Sequence, residues 1–235
     1  MELKWSAASL RAGSAGIPRI ETSPVIPTGE EIARAAYPAA KRAFDVVFSL
    51  TLLVILVPLL LLITATVAAT SPGPVLFRQT RVGQGGKRFT CLKFRSMVAE
   101  AETLKANLAA LNEASGPVFK VKNDPRVTSI GRWLRKTSLD ELPQLVNILR
   151  GEMSFVGPRP PLPEEVAQYT PYHRRRLDVQ QGLTGLWQVT GRSNVTDFEQ
   201  WVALDLEYIK RRSFWFDLVL VVQTVPAVLF SKGAY

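Results

Sequence analysis

The amino-acid sequence predicts an α/β protein that is attached to a membrane by a re-entrant helix–break–helix anchor. Three observations lead to this fold class: an uncharged apolar run containing a proline, two strand-like segments joined by glycines, and later segments with the spacing of amphipathic helices. The 235 residues suit one compact domain with an attachment. We divide them into a flexible N-terminal arm (1–40), the membrane anchor (41–70) and a cytoplasmic domain with interfacial helices (71–235).

The composition narrows the chemistry that the chain can perform. It contains one cysteine, Cys91, and one histidine, His173, which excludes an internal disulfide framework and cysteine-rich zinc or iron–sulfur sites. A mean hydropathy of +0.09 excludes a disordered chain. Any catalysis therefore has to use carboxylates and cations, together with a hard metal ion where a metal is needed.

The positive charge is concentrated in one block of the sequence. Residues 71–136 carry 13 basic and 4 acidic side chains, an excess of nine that equals the net charge of the whole chain. Such a block attracts phosphate groups, whether of nucleic acid, of a membrane surface or of a phosphorylated small molecule. A solvated cationic face is the simpler interpretation of the composition alone.

The first 70 residues contain the arm and the anchor. The arm is punctuated by glycine and proline and shows no periodicity. The anchor contains the uncharged run 46–69, which as a helix is about 36 Å long at ~1.5 Å per residue. Pro58 removes the hydrogen bond that the Val54 carbonyl would accept, and basic residues flank both ends of the run. A re-entrant anchor with both flanks on the cytoplasmic side satisfies both observations, and an ordinary single span is the alternative.

A β-hairpin follows the anchor. The segments 75–82 and 87–93 alternate between apolar and polar residues and are joined by a glycine-rich turn at 84–86. Glycines ahead of Lys87 are also found in phosphate-binding loops, but no serine or threonine follows this lysine. A hairpin turn is therefore the favoured interpretation.

Helices are predicted in the remaining part of the chain. The segments 98–111 and 197–212 have helical spacing, and the last apolar run, 214–230, contains polar residues and a proline that favour an interfacial or core helix. The segment 139–149 places four apolar residues on one predicted face: Leu142, Leu145, Val146 and Leu149.

Two adjacent carboxylates, Asp140 and Glu141, stand at the predicted start of the helix 139–149. Helix capping is one explanation, because Ser138 and Glu141 match a capping box, although Pro143 argues for a later helix start. In either case the helix dipole and the three cations at 132–136 favour an ionised carboxylate and attract an anionic substrate.

Two further segments have both a structural and a functional interpretation. Pro158-Arg159-Pro160 is either a rigid connector or a turn that fixes a guanidinium for a phosphate or a nucleotide. The segment 182–192 contains three glycines and ends in Arg192. Its glycines are either turn residues or a backbone cradle for a phosphate.

At these residues the chain resembles the bacterial monotopic phosphoglycosyl transferases, also called polyprenyl-phosphate sugar-1-phosphate transferases. The resemblance begins at Lys41 and is carried by five motifs in the family order: Lys93-Phe-Arg-Ser-Met, Asp124-Pro-Arg, Thr137-Ser-Leu-Asp-Glu-Leu-Pro-Gln-Leu, Val156-Gly-Pro-Arg-Pro and Gly182-Leu-Thr-Gly. It implies a small monotopic enzyme of the bacterial inner (cytoplasmic) membrane. Residues 71–235 are then its catalytic domain, facing the cytoplasm.

The resemblance also implies a two-step transfer. Asp140 is the expected nucleophile, which attacks the β-phosphate of a UDP-sugar, expels UMP and carries the phosphosugar until undecaprenyl phosphate attacks it. Glu141 is the second expected catalytic residue and holds Mg²⁺. The substrate-binding residues implied by the resemblance are Lys93, Arg95, Arg135, Pro158, Arg159, Pro160 and Arg192.

The expected partners are UDP-sugar, undecaprenyl phosphate and membrane lipids, with glucose or galactose favoured as the sugar. The oligomeric state is left open, with a homodimer as one alternative. A membrane-tethered phosphate-binding module without catalysis is the alternative function, in which Asp140 and Glu141 merely begin a helix. We expect no nucleic-acid binding, because the sequence has no recognised motif for it and the membrane would cover the basic block.

Overall fold

The computed structural model describes residues 29–121, 123–191 and 196–229. Helices and two small β-sheets are mixed along the chain, which confirms the predicted combination of both element types. The strands are β1 (Leu76–Val82), β2 (Arg88–Phe94), β3 (Ser154–Val156) and β4 (Gly182–Thr184). The helices are α1 (Gly29–Ile55), α2 (Val57–Thr70), α3 (Ala101–Leu104), α4 (Ser129–Lys136), α5 (Gln144–Arg150), α6 (Pro163–Ala167), α7 (Pro171–Arg174), α8 (Leu186–Gly191), α9 (Phe198–Arg211) and α10 (Phe214–Leu229).

The predicted anchor is a bent pair of helices. The α1 and α2 helices are separated at Leu56 and bent by 64°. Pro58 lies in the first turn of α2, where its missing N–H has no intrahelical partner to lose, so the chain starts a new helix there. The predicted break is confirmed. Within the described ranges no single helix is long and apolar enough to cross a membrane, whereas 35–55 and 57–70 meet that requirement together.

The α1 helix begins earlier than the sequence predicts. Residues from Gly29 onward are helical, so the last part of the arm predicted for 1–40 continues directly into the anchor. The residues after Gly29 are rich in alanine and glutamate, which favour helix, and Tyr37 and Lys41 are held by hydrogen bonds to Asp217 of α10. Residues 1–28 lie outside the described ranges.

The middle of α1 packs against the rest of the protein. Phe44 and Phe48 contact the main apolar core, which is built from β2, α5, β3, α9 and α10. Arg42 donates to the carbonyl oxygens of Ile148 and Leu149 at 2.6 and 2.7 Å, and these are among the last carbonyls of α5. The guanidinium therefore caps the C-terminus of α5 and joins α1 to it.

Large apolar side chains remain exposed near the break and on α10. Val54 is 65% exposed, Leu62 is 64% exposed and Trp215 of α10 is 75% exposed. The other side of α10 is buried, with Leu220 inside the main core. This helix therefore has one face in the core and another face that exposes apolar side chains.

The sheets bring distant segments together. The β1 and β2 strands form the predicted antiparallel hairpin, with Leu76 opposite Phe94 and Val82 opposite Arg88. The turn between them has positive φ at Gly85, so it is a hairpin turn as predicted. The β3 and β4 strands pair in parallel and place 154–156 beside 182–184.

The helix predicted over 139–149 is interrupted in the structure. Residues 139–141 form one 3₁₀ turn, and α5 begins only after Pro143. Ser138 has a φ of 57°, and its side chain does not cap the turn, so the capping-box interpretation is wrong. The helix predicted over 98–111 is likewise divided into α3 and a 3₁₀ helix at 106–111, whereas the amphipathic helix at 197–212 is confirmed as α9.

Candidate active site

A cavity of about 200 Å³ brings together residues that are far apart in the sequence. Its lining contains three carboxylates, five cations and an aromatic wall. Five of the site residues implied by the resemblance line it: Lys93, Arg135, Asp140, Glu141 and Arg159.

The carboxylates Asp140 and Glu141 lie on the 3₁₀ turn between α4 and α5. The left-handed conformation of Ser138 reverses the chain after α4, and this reversal turns the two acids toward the cavity. Asp140 is 6% exposed. Glu141 is more accessible, and its Oε1 accepts a hydrogen bond from Lys93 Nζ at 2.7 Å. A cation from β2 therefore neutralises Glu141 in this arrangement.

Arg135 lies beside these carboxylates in the last turn of α4. Burial lowers the pKa of its guanidinium, and the carboxylate of Asp140 is the largest influence in the opposite direction. Because a free guanidinium has a pKa above 12, Arg135 stays charged at neutral pH. It supplies a fixed positive charge next to Asp140.

Arg159 is presented by a rigid turn. Gly182 N donates to Pro158 O at 2.8 Å, and Arg81 Nη1 donates to Pro160 O at 2.9 Å. Burial, with a further contribution from Arg159, lowers the pKa of Arg81 to about 10, so Arg81 also remains a cation. The turn therefore connects two segments and also holds Arg159 in position at the cavity. Pro160 lines a smaller adjoining cavity, whereas Pro158 is buried beneath the turn.

The glycines around this turn serve close packing. A Cβ at Gly157 would lie 2.3 Å from Gln180 O, and one at Gly182 would lie 2.1 Å from Gly157 N. Only glycine allows β3 and β4 to approach this closely. Arg192, the last substrate-binding residue implied by the resemblance, lies outside the described residues.

Arg95 differs from its expected role, because it lies away from the cavity. Its buried guanidinium donates to Ser71 Oγ at 3.1 Å and to the carbonyl oxygens of Ser71 and Pro74. These residues form the turn that leaves α2. Arg95 therefore fastens the end of α2 to the hairpin.

A further ion pair, between Arg126 and Asp124 of the Asp124-Pro-Arg motif, lies in the cavity, although the sequence did not predict these residues as part of the site. Arg126 Nη2 donates to Asp124 Oδ2 at 2.6 Å, and its Nε and backbone N donate to Asp124 Oδ1. Burial alone would raise the pKa of the Asp124 carboxyl, but the hydrogen bonds from Arg126 hold it below its usual range. The Asp124-Pro-Arg motif was the sequence signal for this pair, and both of its charged residues line the cavity.

An aromatic wall completes the cavity. The rings of Trp187 and Trp201 are stacked, with centroids 4.8 Å apart, and both line the cavity together with Phe119. The two tryptophans belong to a second core cluster that includes Val118 and Phe198. Sequence reasoning missed this wall, because aromatic residues at helical spacing predict a core in general rather than a ligand site.

The donor set of the cavity is compatible with a hard divalent cation. Asp140 and Glu141 offer carboxylate oxygens, and Mg²⁺ is commonly held by one or two carboxylates together with substrate phosphates. In the part of the chain that the structure describes, no three residues among His, Cys, Asp and Glu are grouped to hold a metal by themselves. The residues present therefore fit Mg²⁺ bound jointly with a phosphate ligand.

Comparison with known proteins gives consistent matches. The family model described as bacterial sugar transferase matches residues 36–231. The galactosyl transferase CpsE of Streptococcus agalactiae serotype III is 48% identical over 162 residues, which are 69% of this chain and 36% of that protein. The exopolysaccharide production protein ExoY of Rhizobium meliloti is 44% identical over 200 residues, 83% of this chain and 88% of ExoY. The UDP-glucose:undecaprenyl-phosphate glucose-1-phosphate transferase of Caulobacter vibrioides is 41% identical over 214 residues, 88% of this chain and 76% of that protein.

Proposed function

The chain belongs to the bacterial sugar transferase family, and we propose that it transfers a sugar-1-phosphate from a UDP-sugar to undecaprenyl phosphate. This is the first membrane step in assembling a polysaccharide or another glycoconjugate. The observation that carries the proposal is the convergence of Asp140 and Glu141 with five cations in one cavity. The diphosphate of a nucleotide sugar is polyanionic, and such a cluster binds it through charge-assisted hydrogen bonds.

The proposed chemistry uses Asp140 as a nucleophile. Its carboxylate oxygen attacks the β-phosphorus of the UDP-sugar, the bond from this phosphorus to the oxygen of the α-phosphate breaks, and UMP leaves. A phosphate oxygen of undecaprenyl phosphate then attacks the same phosphorus and releases the aspartate. The products are UMP and undecaprenyl-diphospho-sugar. The buried position of Asp140 beside Arg135 supports this role, because the arginine keeps a cation next to the attacking group.

The other cavity residues bind and orient the diphosphate. Arg135 reaches the cavity from α4 and Arg159 from the turn after β3, and each can bind a phosphate in a bidentate manner. Lys93 balances Glu141 until the substrate enters. Mg²⁺, when bound by Glu141 and the substrate phosphates, offsets the charge of the diphosphate.

The exposed apolar surface supports our proposal that the reaction takes place at a membrane. Val54, Leu62 and Trp215 present apolar groups on α1, α2 and α10, and the acceptor is a lipid whose phosphate lies at headgroup level. We propose that the bent pair α1–α2 enters and leaves the cytoplasmic leaflet of the inner membrane. The cavity then faces the cytoplasm, where UDP-sugars are found.

Withholding the lipid tests the covalent step. Enzyme and UDP-sugar alone should release about one UMP per active site and add the mass of a sugar phosphate to the peptide containing Asp140. Asp140→Asn should lose both signals, whereas Asp178→Asn, a change at an exposed aspartate outside the cavity, should keep them. If wild-type enzyme releases UMP only after undecaprenyl phosphate is added and never carries the adduct, Asp140 is not the nucleophile.

Cysteine labelling tests the re-entrant geometry. The native Cys91 is buried and gives little background. Cysteines introduced at Ser23 and Ser231, both outside the described residues, should be protected from an impermeant maleimide in intact cells. Pro58→Leu, which restores a helix donor, should expose the Ser23 position by favouring a full span. Labelling of one terminus in the otherwise unchanged protein would contradict a re-entrant anchor.

A further inference from the structure

A second, smaller cavity, which we call the side cavity, lies next to the one that contains Asp140. Its volume is about 30 Å³. Four residues line both cavities: Lys93, Glu141, Arg159 and Gln188. Because one water molecule needs roughly 10–15 Å³, the side cavity has room for a small group, such as the oxygens of one phosphate, rather than for a whole sugar or base.

Gln144 lines the side cavity with an amide that has no partner. The residue is 3% exposed, and its side chain makes no hydrogen bond to any other residue in the described ranges. Its amide atoms are not among the unpaired polar atoms that are fully enclosed, so they keep accessible surface at the cavity. A buried amide without a partner is costly, and here a ligand in the cavity can pair it.

Arg81, which also lines the side cavity, is a buried cation that contacts only neutral acceptors. Its Nε and Nη2 donate to Gln79 Oε1 at 3.0 and 2.6 Å, and its Nη1 donates to Pro160 O at 2.9 Å. A guanidinium has five N–H groups, so two of them have no acceptor within the described part of the chain. Burial is the main cause of the lowered pKa of Arg81, and the positive charge of Arg159 lowers it further. An anion in the cavity would relieve this repulsion.

The side cavity has an excess of positive charge. Its charged lining consists of three cations and one carboxylate: Arg81, Lys93, Arg159 and Glu141. Lys93 Nζ lies 2.7 Å from Glu141 Oε1, so these two charges offset each other and two guanidinium groups remain. Burial raises the pKa of the Cys91 thiol, which is therefore uncharged at neutral pH. Guanidinium groups are the donors best suited to phosphate oxygens.

We infer that the side cavity binds the oxygens of a phosphate group, with Arg81 and Arg159 as charged donors and the amide N–H of Gln144 as a neutral donor. This inference rests on the proposed function and adds Arg81 and Gln144 to the residues that bind its substrates. The pocket lies next to the cavity in which Asp140 attacks phosphorus.

Each step of the proposed reaction brings a second phosphate to that phosphorus. In the first step it is the α-phosphate, which leaves as UMP, and in the second step it is the phosphate of undecaprenyl phosphate. Attacking and leaving oxygens lie roughly in line in phosphoryl transfer, so both phosphates are opposite Asp140. One pocket can therefore serve both phosphates in turn.

Replacing Gln144 by methionine tests the inference without breaking an internal hydrogen bond. The Tm should stay the same or rise, because an unpaired buried amide is removed. The Kd of UMP, measured by calorimetry on the full-length protein in nanodiscs, should rise about tenfold, and so should the KM for undecaprenyl phosphate. Gln168→Met is the matched control, because Gln168 is exposed and lines neither cavity, and it should change neither value.

A second variant and a second ligand complete the test. Arg81→Lys keeps the charge but loses the fork of donors, and it should also weaken UMP binding about tenfold. Uridine lacks the phosphate, so its inhibition constant should change by less than about 2-fold in both variants.

The outcomes separate the two phosphates from each other and from the alternatives. A loss for UMP alone or for the lipid alone would support the pocket and assign it to that phosphate. Equal losses for UMP and uridine would assign Gln144 to the nucleoside and overturn the inference. Unchanged values for both ligands in folded variants would show that the side cavity holds only water, which would overturn this inference alone. A wild-type enzyme that binds UMP but transfers no sugar phosphate would overturn the proposed function, while UMP binding would still test the pocket.

Discussion

Replacing Asp217 by asparagine tests how α1 is fastened to the rest of the protein. The buried carboxylate of Asp217 on α10 accepts three hydrogen bonds: from Lys41 Nζ at 2.6 Å, from Tyr37 OH at 3.0 Å and from Tyr208 OH at 2.9 Å. Two of these donors lie on α1 and one on α9. The carboxylate therefore joins the anchor helix to both C-terminal helices.

The size of the effect follows from the burial of the ion pair. The side chains of Lys41 and Asp217 are 13% and 5% exposed, and removing one partner of a buried pair costs roughly 3–5 kcal/mol. Asparagine keeps one acceptor, and Lys41 Nζ still donates to Val156 O, so we expect about 3 kcal/mol. At about 2–4 °C per kcal/mol for a chain of this size, the Tm should fall by about 6–12 °C.

The assay is thermal unfolding of purified protein in detergent or nanodiscs. The double variant Lys41→Met/Asp217→Leu should recover most of the lost stability, because no charge is then left buried without its partner. Glu207→Gln is the control, since Glu207 forms an exposed pair with Arg211 at 3.7 Å and should change the Tm by no more than about 2 °C. A Tm shift below about 2 °C for Asp217→Asn, or a double variant with a Tm no higher than that of Asp217→Asn, would refute the reasoning.

Three further predictions concern the site and its surroundings. Arg95→Met should lower the Tm and leave the KM for UDP-sugar unchanged. Arg159→Lys should raise that KM about tenfold and leave the Tm nearly unchanged. The reverse pattern would show that Arg95 belongs to the substrate site. The depressed pKa of Asp124 means that its pair with Arg126 stabilises the protein above about pH 4 and loses that contribution as the pH falls through the folded pKa, so Asp124→Asn should flatten the acid side of a Tm-versus-pH curve. EDTA should abolish UMP release and excess Mg²⁺ should restore it, while full turnover in EDTA would contradict the metal-holding role of Glu141.

Local features of this fold were predictable because a few neighbouring residues determine them. The hairpin follows from alternation around a glycine-rich turn, and the break in the anchor follows from Pro58 inside an apolar run. The same holds for the rigid mount of Arg159 between two prolines. The sequence also indicated Asp140 and Glu141 as a pair of adjacent acidic residues. Their local structure was predicted wrongly, because periodicity alone does not reveal the left-handed turn at Ser138.

The sequence by itself determined the hairpin, the break at Pro58 and the amphipathic helix α9, and it determined which charged residues are available. Only the tertiary structure decided which of them share the cavity. Lys93 and Arg95 belong to one motif and are two residues apart, so a continuous strand would place both side chains on the same face. Because β2 ends at Phe94, Lys93 pairs with Glu141, whereas Arg95 contacts the end of α2. Arg42 is likewise held on α5, and Trp187 in the cavity wall, by partners that lie in other elements of the chain. Contacts of this kind arise from packing between elements, and no spacing within a single element encodes them.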